Sequence, residues 1–252
     1  MTIMISHEAD VAILTLNRPE VLNAIDMATA DALMRALDQI ESDQSIALVI
    51  TGAGRAFCAG SDLGEKNVDV LGKLSEMHAI VQRLVEYPKL TIAALNGMAL
   101  GGGLELALGC ALRIAAPGAK LGLPEIKIAA MPCYGGTQLL PRLIGTSRAL
   151  SMMLTGEPVN GAEALSFGLV TAIDEDPLRA AIDLAQTCAA GRENAQRAIR
   201  SAVHGGALLD LKAGLELERT LAVELSTGDE VRLALEAFKT RSDRSDSKAR
   251  DQ

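Results

Sequence analysis

Two carboxylates stand where acid/base chemistry could be done. Glu105 interrupts the apolar run Leu104-Glu105-Leu106-Ala107-Leu108, directly after Gly101-Gly102-Gly103. A carboxyl in such a run is partly desolvated, which raises its pKa, while a helix start beside it acts in the opposite sense. Glu125 follows Pro124 in Leu121-Gly122-Leu123-Pro124-Glu125-Ile126-Lys127. Taken singly, Glu105 reads equally well as a residue that stabilises a helix start, and Glu125 reads more readily as one. Converging on one apolar cleft, they would make an acid/base pair whose protonation states are split by environment. Their spacing along the chain does not establish that convergence.

The segment Asn96 to Ala107 adds an electrostatic element. Consecutive glycines after a strand let the backbone approach a ligand closely, and a helix starting there turns unsatisfied N–H groups toward the same point. Those are the parts of an oxyanion site. The loop Arg55-Ala56-Phe57-Cys58-Ala59-Gly60-Ser61-Asp62-Leu63, built of small residues behind a strand, could supply a further N–H.

Other patterns fail on inspection. Gly52-Ala53-Gly54-Arg55-Ala56-Phe57 begins like a dinucleotide fingerprint, but Phe57 occupies its third glycine position. Ser61 has Ala59 where a nucleophile elbow needs glycine. No P-loop is present, and His7, His78 and His204 have no evident partners and read as surface or packing residues. Cys58, Cys110, Cys133 and Cys188 are scattered, without a C-x-x-C pair or a histidine at ligand spacing. That pattern predicts free thiols in a reducing, cytoplasmic setting and no metal site.

The elements that must position these groups are legible in part. Val11 to Leu16, Ile46 to Thr51, Leu90 to Leu95 and Ala111 to Ala115 read as strands, the second of them buried on both faces because nothing in it alternates. Asp26 can cap a helix carrying Ala30, Leu33, Met34, Leu37 and Ile40 at helical spacing, and a second helix runs roughly from Leu74 to Tyr87, ending before Pro88. Asn160, Glu163 and Gly168 bracket a short capped helix, and from Pro177 to about Lys239 the pattern is almost wholly helical. Strands alternating with helices imply an α/β core, which unaided suggests a doubly wound sheet, followed by a helical region. The predicted organisation is a core over residues 1–195, a helical region over 196–241 and a disordered polar tail over 242–252.

The chain has 252 residues with 49% hydrophobic content, enough for a substantial buried core, which excludes global disorder. Its net charge of −8 gives no bulk positive field, and aromatic residues at 2% leave almost no stacking platforms, so nucleic acid is not an expected partner. No apolar stretch approaches the ~20 residues of a membrane span, so a membrane is not expected either.

Asn17-Arg18-Pro19-Glu20, Leu22-Asn23-Ala24, Ala56 to Leu63, Asn96 to Ala107, Leu123-Pro124-Glu125 and Gly135-Gly136-Thr137-Gln138 occur in the order and approximate spacing of the crotonase (enoyl-CoA hydratase/isomerase) superfamily. The chain resembles that superfamily as far as about Arg241, and several linked motifs are far more specific than any one. The resemblance implies a crotonase-like α/β fold, a spiral of β-β-α units with a C-terminal helical region for trimerisation, and assembly as a homotrimer or as a hexamer formed by two trimers.

It also implies an acyl-CoA thioester as substrate, coenzyme A entering as part of that substrate with no prosthetic group. Backbone N–H groups of Ser61 and Gly102 would form the oxyanion hole, the Ser61 hydroxyl being incidental. In the enoyl-CoA hydratase reading, Glu105 would activate the water that attacks C3 and Glu125 would deliver the proton to C2, each within ~3 Å of what it serves. Loss of one oxyanion donor typically costs ~3–4 kcal/mol. Coenzyme A would lie on Leu22-Asn23-Ala24 and on Ala59, Gly60, Asp62 and Leu63, with Arg18 as a phosphate contact; Gly101, Pro124, Cys133 and Tyr134 would line the acyl site. Cys133 stands where the superfamily usually has glycine, and either reshapes the acyl pocket or is tolerated as a small residue. Isomerisation or dehydration of a specialised thioester is the alternative within the superfamily, and non-catalytic acyl-CoA binding the alternative outside it.

Overall fold

The computed structural model describes residues 1–66, 69–189, 192–207 and 209–235, in two compact units, Met1–Cys188 and the chain from Ala189 onward. The first unit runs β1 (Ile3–Glu8), β2 (Val11–Leu16), α1 (Met27–Glu41), β3 (Ala47–Gly52), β4 (Ala56–Cys58), α2 (Val70–Val85), β5 (Leu90–Leu95), β6 (Met98–Leu100), α3 (Gly102–Gly109), β7 (Leu112–Ala115) and β8 (Leu121–Gly122). It continues through α4 (Gly136–Ile144), α5 (Thr146–Thr155), α6 (Gly161–Phe167), β9 (Ala172–Ile173) and α7 (Pro177–Ala189).

Six strands form one sheet in the order β1-β2-β3-β5-β7-β9, antiparallel only between β1 and β2, and a second sheet is made of β4-β6-β8, all parallel. The order never reverses, so the sheet has no switch point and is not doubly wound. The chain instead repeats one step: a strand in the large sheet, a short strand in the small sheet, then a helix, as in β3-β4-α2, β5-β6-α3 and β7-β8-α4. This is the β-β-α spiral.

Both faces of the large sheet are covered, which explains strands without alternation. Leu48, Ile50, Ala93 and Leu95 face a core shared with Leu33, Leu37, Met77 and Leu104, whereas Ala47, Val49, Ile92 and Ala94 pack with Ala181, Ile182 and Ala185 of α7. Asp26 caps α1 by accepting the Thr29 N–H at 2.8 Å, as the spacing predicts. Helix α2 starts earlier than its apolar pattern suggests because Asp69 caps it, accepting the Gly72 N–H at 3.1 Å. Asn96 stitches the two sheets together. Its amide donates to Gly52 O and Gly54 O at 2.9 and 3.0 Å, and its Oδ1 accepts the Gly52 N–H at 3.2 Å.

The second unit holds α8 (Glu193–Gly206) and α9 (Leu211–Ser226). The Glu230 carboxylate accepts the N–H groups of Asn194 and Ala195 at 3.0 and 3.2 Å, which closes the start of α8. The segment Ala237 to Arg241 and the expected tail over 242–252 lie outside the described residues. Among the described residues no helix is long and apolar enough to cross a membrane.

Candidate active site

Strand β6 turns into α3 through Gly101, whose φ of +51° and ψ of −128° lie in a region that side chains rarely adopt. The turn aims the first N–H groups of α3 away from the sheet and sets Glu105 in its first turn, 1% exposed. Glu105 Oε1 accepts two backbone N–H bonds, from Tyr134 and Gly136, both at 2.8 Å. A methyl group on Gly136 would stand 2.9 Å from that oxygen, so this position admits glycine alone without displacing the carboxylate. Burial pushes the Glu105 carboxyl up to about 7; the two N–H bonds oppose the shift and the nearby Glu125 charge adds to it.

Glu125 arrives from the next step of the spiral. It opens a 3-10 helix, Glu125–Ile128, three residues past β8, with Pro124 at its cap. Its Oε2 is buried without a hydrogen-bond partner, and a methyl group on Gly101 would lie 2.9 Å from its Oε1. Burial raises the Glu125 carboxyl above its usual range. Both carboxyls therefore sit beside the start of α3, with Glu105 within reach of the Glu125 charge.

The oxyanion candidates come from the two preceding strands. Ile25 and Ser61 form a parallel bridge in which Ile25 N–H donates to Gly60 O at 2.8 Å and Asp62 N–H to Ile25 O at 2.9 Å. The bridge leaves the Ser61 N–H on the opposite side of its chain. There it faces Gly102: the Cβ position of Gly102 is 3.7 Å from Ser61 N, and that of Gly60 is 3.4 Å from Gly102 N. Gly102 N–H is the first of α3, and no side chain caps it. The N–H groups of Ser61 and Gly102 and the two carboxyls thus gather at the start of α3, the components of a site that could stabilise a carbonyl oxygen gaining charge while protons move beside it.

Tyr134 and Cys133 line the same place. Tyr134 is 4% exposed, its ring stands over Gly102, and its phenol meets the Ser61 hydroxyl at 2.6 Å. The Ser61 hydroxyl, expected to be incidental to the chemistry, is engaged by a tyrosine 73 positions further along the chain. Cys133 is exposed, its thiol pushed up to about 11 by partial burial and by the two carboxyls, which leaves it a neutral thiol. His78 Nε2–H donates to the Cys133 carbonyl at 2.7 Å and ties that segment to α2. The four cysteines are all free, as their spacing predicts. Among the described residues no group of three or more His, Cys, Asp or Glu could hold a metal ion.

The segments expected to carry coenzyme A are brought together. Ala59 N–H donates to Leu22 O at 3.0 Å, and Leu22 and Asn23 both adopt positive φ, which turns the chain beside the Ala59–Asp62 loop. Asn23 is 1% exposed and donates to Ala53 O and Ala56 O at 2.9 and 2.8 Å, while Ala24 is also buried. Arg18, a phosphate candidate on sequence grounds, has its guanidinium engaged by Asp26 and Asp62, each at 3.0 Å, and by Ala24 O at 2.8 Å. Those partners make it a clamp that holds the loop. Leu63 is exposed. One pair escapes the sequence reading: Lys73 Nζ meets Glu65 Oε2 at 2.6 Å, and Glu65 Oε1 accepts the Met27 N–H at 2.9 Å. Its only sequence signal is a lysine at an inward position of α2.

Residues 6–245 match the enoyl-CoA hydratase/isomerase family. The putative enoyl-CoA hydratase/isomerase YngF of Bacillus subtilis is 41% identical over 235 residues, 90% of each chain. The 1,2-epoxyphenylacetyl-CoA isomerase of Escherichia coli is 37% identical, over 87% of this chain and 88% of that one. The crystal structure of enoyl-CoA hydratase from Bacillus anthracis superposes with a TM-score of 0.91 at 35% identity, covering 96% of this chain and 97% of that one. With its β-β-α spiral, its paired carboxyls and these likenesses, the chain belongs to the enoyl-CoA hydratase/isomerase family and has the crotonase fold.

Proposed function

We propose that the protein is an enoyl-CoA hydratase, adding water across the 2,3 double bond of a 2-enoyl-CoA thioester. The observation that carries this reading is the convergence of Glu105 and Glu125 beside the facing N–H groups of Ser61 and Gly102. Attack of water at C3 drives electrons toward the thioester oxygen, and two aimed N–H groups stabilise that charge without reorganising. Glu105, whose Oε1 already takes two N–H donors, accepts the proton of the attacking water in its ionised form, which predominates above about pH 7. Glu125, with a buried oxygen that no protein group satisfies, holds the proton and hands it to C2. The enolate then collapses to the 3-hydroxyacyl thioester.

Coenzyme A lies along the laced segments Leu22–Ala24 and Ala59–Asp62, and the protein acts in the cytoplasm as a homotrimer or a dimer of trimers. The test is loss of enoyl-thioester absorbance with crotonyl-CoA. The parent consumes it, and Glu105→Gln and Glu125→Gln each lose about 10²- to 10⁴-fold in kcat. A parent that binds CoA esters but leaves crotonyl-CoA untouched overturns hydration. A Glu105→Gln enzyme that still moves a double bond assigns isomerisation on Glu125 instead.

A further inference from the structure

Tyr134 meets several parts of the site, through its backbone and its side chain. Its backbone N–H holds Glu105 Oε1, its ring covers Gly102, and its phenol bonds the Ser61 hydroxyl at 2.6 Å. One buried residue therefore contacts the proposed base and both proposed oxyanion donors. We propose that Tyr134 is a positioning residue, and that its phenol, through the Ser61 hydroxyl, holds the Ser61 N–H in register with the Gly102 N–H. The inference rests on the oxyanion-hole reading of those two groups.

The physical reason lies in where Ser61 sits. It belongs to a loop whose other anchors all come from one neighbouring segment, through Ala59 N–H to Leu22 O, the bridge to Ile25 and the Arg18–Asp62 ion pair, and Leu63 beyond it is exposed. A loop N–H anchored on one side swings, and a swing of a few tenths of an ångström degrades an oxyanion donor, whose value depends on pre-set geometry. The phenol supplies the anchor on the second side. Since α4 starts two residues after Tyr134, the tyrosine is itself held by a helix and by Glu105. The thioester oxygen then enters a cradle in which the base arm and the donor arm are set by the same residue.

Tyr134→Phe keeps the ring over Gly102 and removes only the O–H; Ser61→Ala keeps the N–H donor and removes the same bond from the other side. The probe is acetoacetyl-CoA, whose bound enolate absorbs in the near ultraviolet and reports charge stabilisation without turnover. Butyryl-CoA affinity serves as the measure of binding without enolate. The expected result is a three- to tenfold fall, roughly, in the enolate-to-keto ratio in each single variant, with butyryl-CoA affinity unchanged and the double variant no worse than either single one. With crotonyl-CoA, kcat falls by the same factor while KM holds. A Tyr134→Phe enzyme with the parental enolate ratio overturns the proposal, as does a double variant whose loss is the product of the two single losses. If the parent itself forms no enolate, the oxyanion reading and this proposal fall together; if the parent forms it and Tyr134→Phe does too, only this proposal falls.

Discussion

At the scale of the residue, Glu105 is a group the fold holds at a cost. Its folded pKa of about 7 lies above the usual carboxyl value of 4.5. Between those values the folded protein holds a proton that the unfolded chain has released, so stability falls as pH rises through that window and levels off above pH 7. Glu105→Gln keeps an oxygen for the two N–H bonds and removes the ionisation. It is expected to be the more stable protein at pH 8, by on the order of 2 kcal/mol, and to show little of that gain at pH 4. Urea unfolding of both proteins at the two pH values measures it, and an equal gain at both would refute the assignment. The same group shapes the rate: kcat/KM is expected to fall as pH drops through about 7, because the base must be ionised. In Glu105→Gln the acid limb should vanish from whatever residual rate remains.

At the scale of the element, the start of α3 does the positioning. Gly101→Ala forces a side chain into an unfavourable backbone region and puts its methyl 2.9 Å from Glu125 Oε1, so it is expected to lose about 1–3 kcal/mol of stability and much of kcat. Gly118→Ala, with nothing within 4 Å of the added methyl and no positive φ, is the matched control and should do neither. Thermal melts read beside turnover separate the two. Asn96→Ala removes the amide that joins the β5–β6 turn to the end of β3 and the β3–β4 loop, and a loss of about 2 kcal/mol is expected in denaturant titration. Strand β1, though as long as any other, escapes the residue pattern, whereas β2, β3, β5 and β7, α1 with its Asp26 cap, and the glycine segment before Glu105 are legible from it. Strands β4, β6 and β8 are not, since two or three residues carry no periodicity, and without them the alternation of strand and helix mimics a doubly wound sheet. The desolvation of Glu105 is readable from its apolar neighbours; its two N–H partners, the Tyr134–Ser61 bond and the Lys73–Glu65 pair are not, because folding alone decides which distant segments meet. Arg18 adds ion pairs to Asp26 and Asp62, which its motif does not signal.

At the scale of the whole molecule, α8 and α9 expose Ile199, Val203, Leu215 and Val223, each more than half accessible. Apolar residues in that number on a helix pair favour burial against further copies, in keeping with the proposed assembly. Sedimentation is expected to give a mass of three or six 26.4 kDa chains, and Val203→Asp with Leu215→Asp to lower it; a parent that sediments as a monomer would remove that part of the proposal. The small sheet carries a further consequence. Ser61 follows β4, Gly102 follows β6 and Glu125 follows β8, each within three residues of the strand's end. Adjacent strands lie about 4.8 Å apart, a spacing set by main-chain hydrogen bonds and indifferent to side chains. The sheet thus works as a ruler that meters the distance between donors and acid. On the proposed function, residues placed at the acyl end, Cys133 among them, could change to suit a different thioester without recalibrating it, so substrate range and reaction geometry would be set by separate parts of the fold.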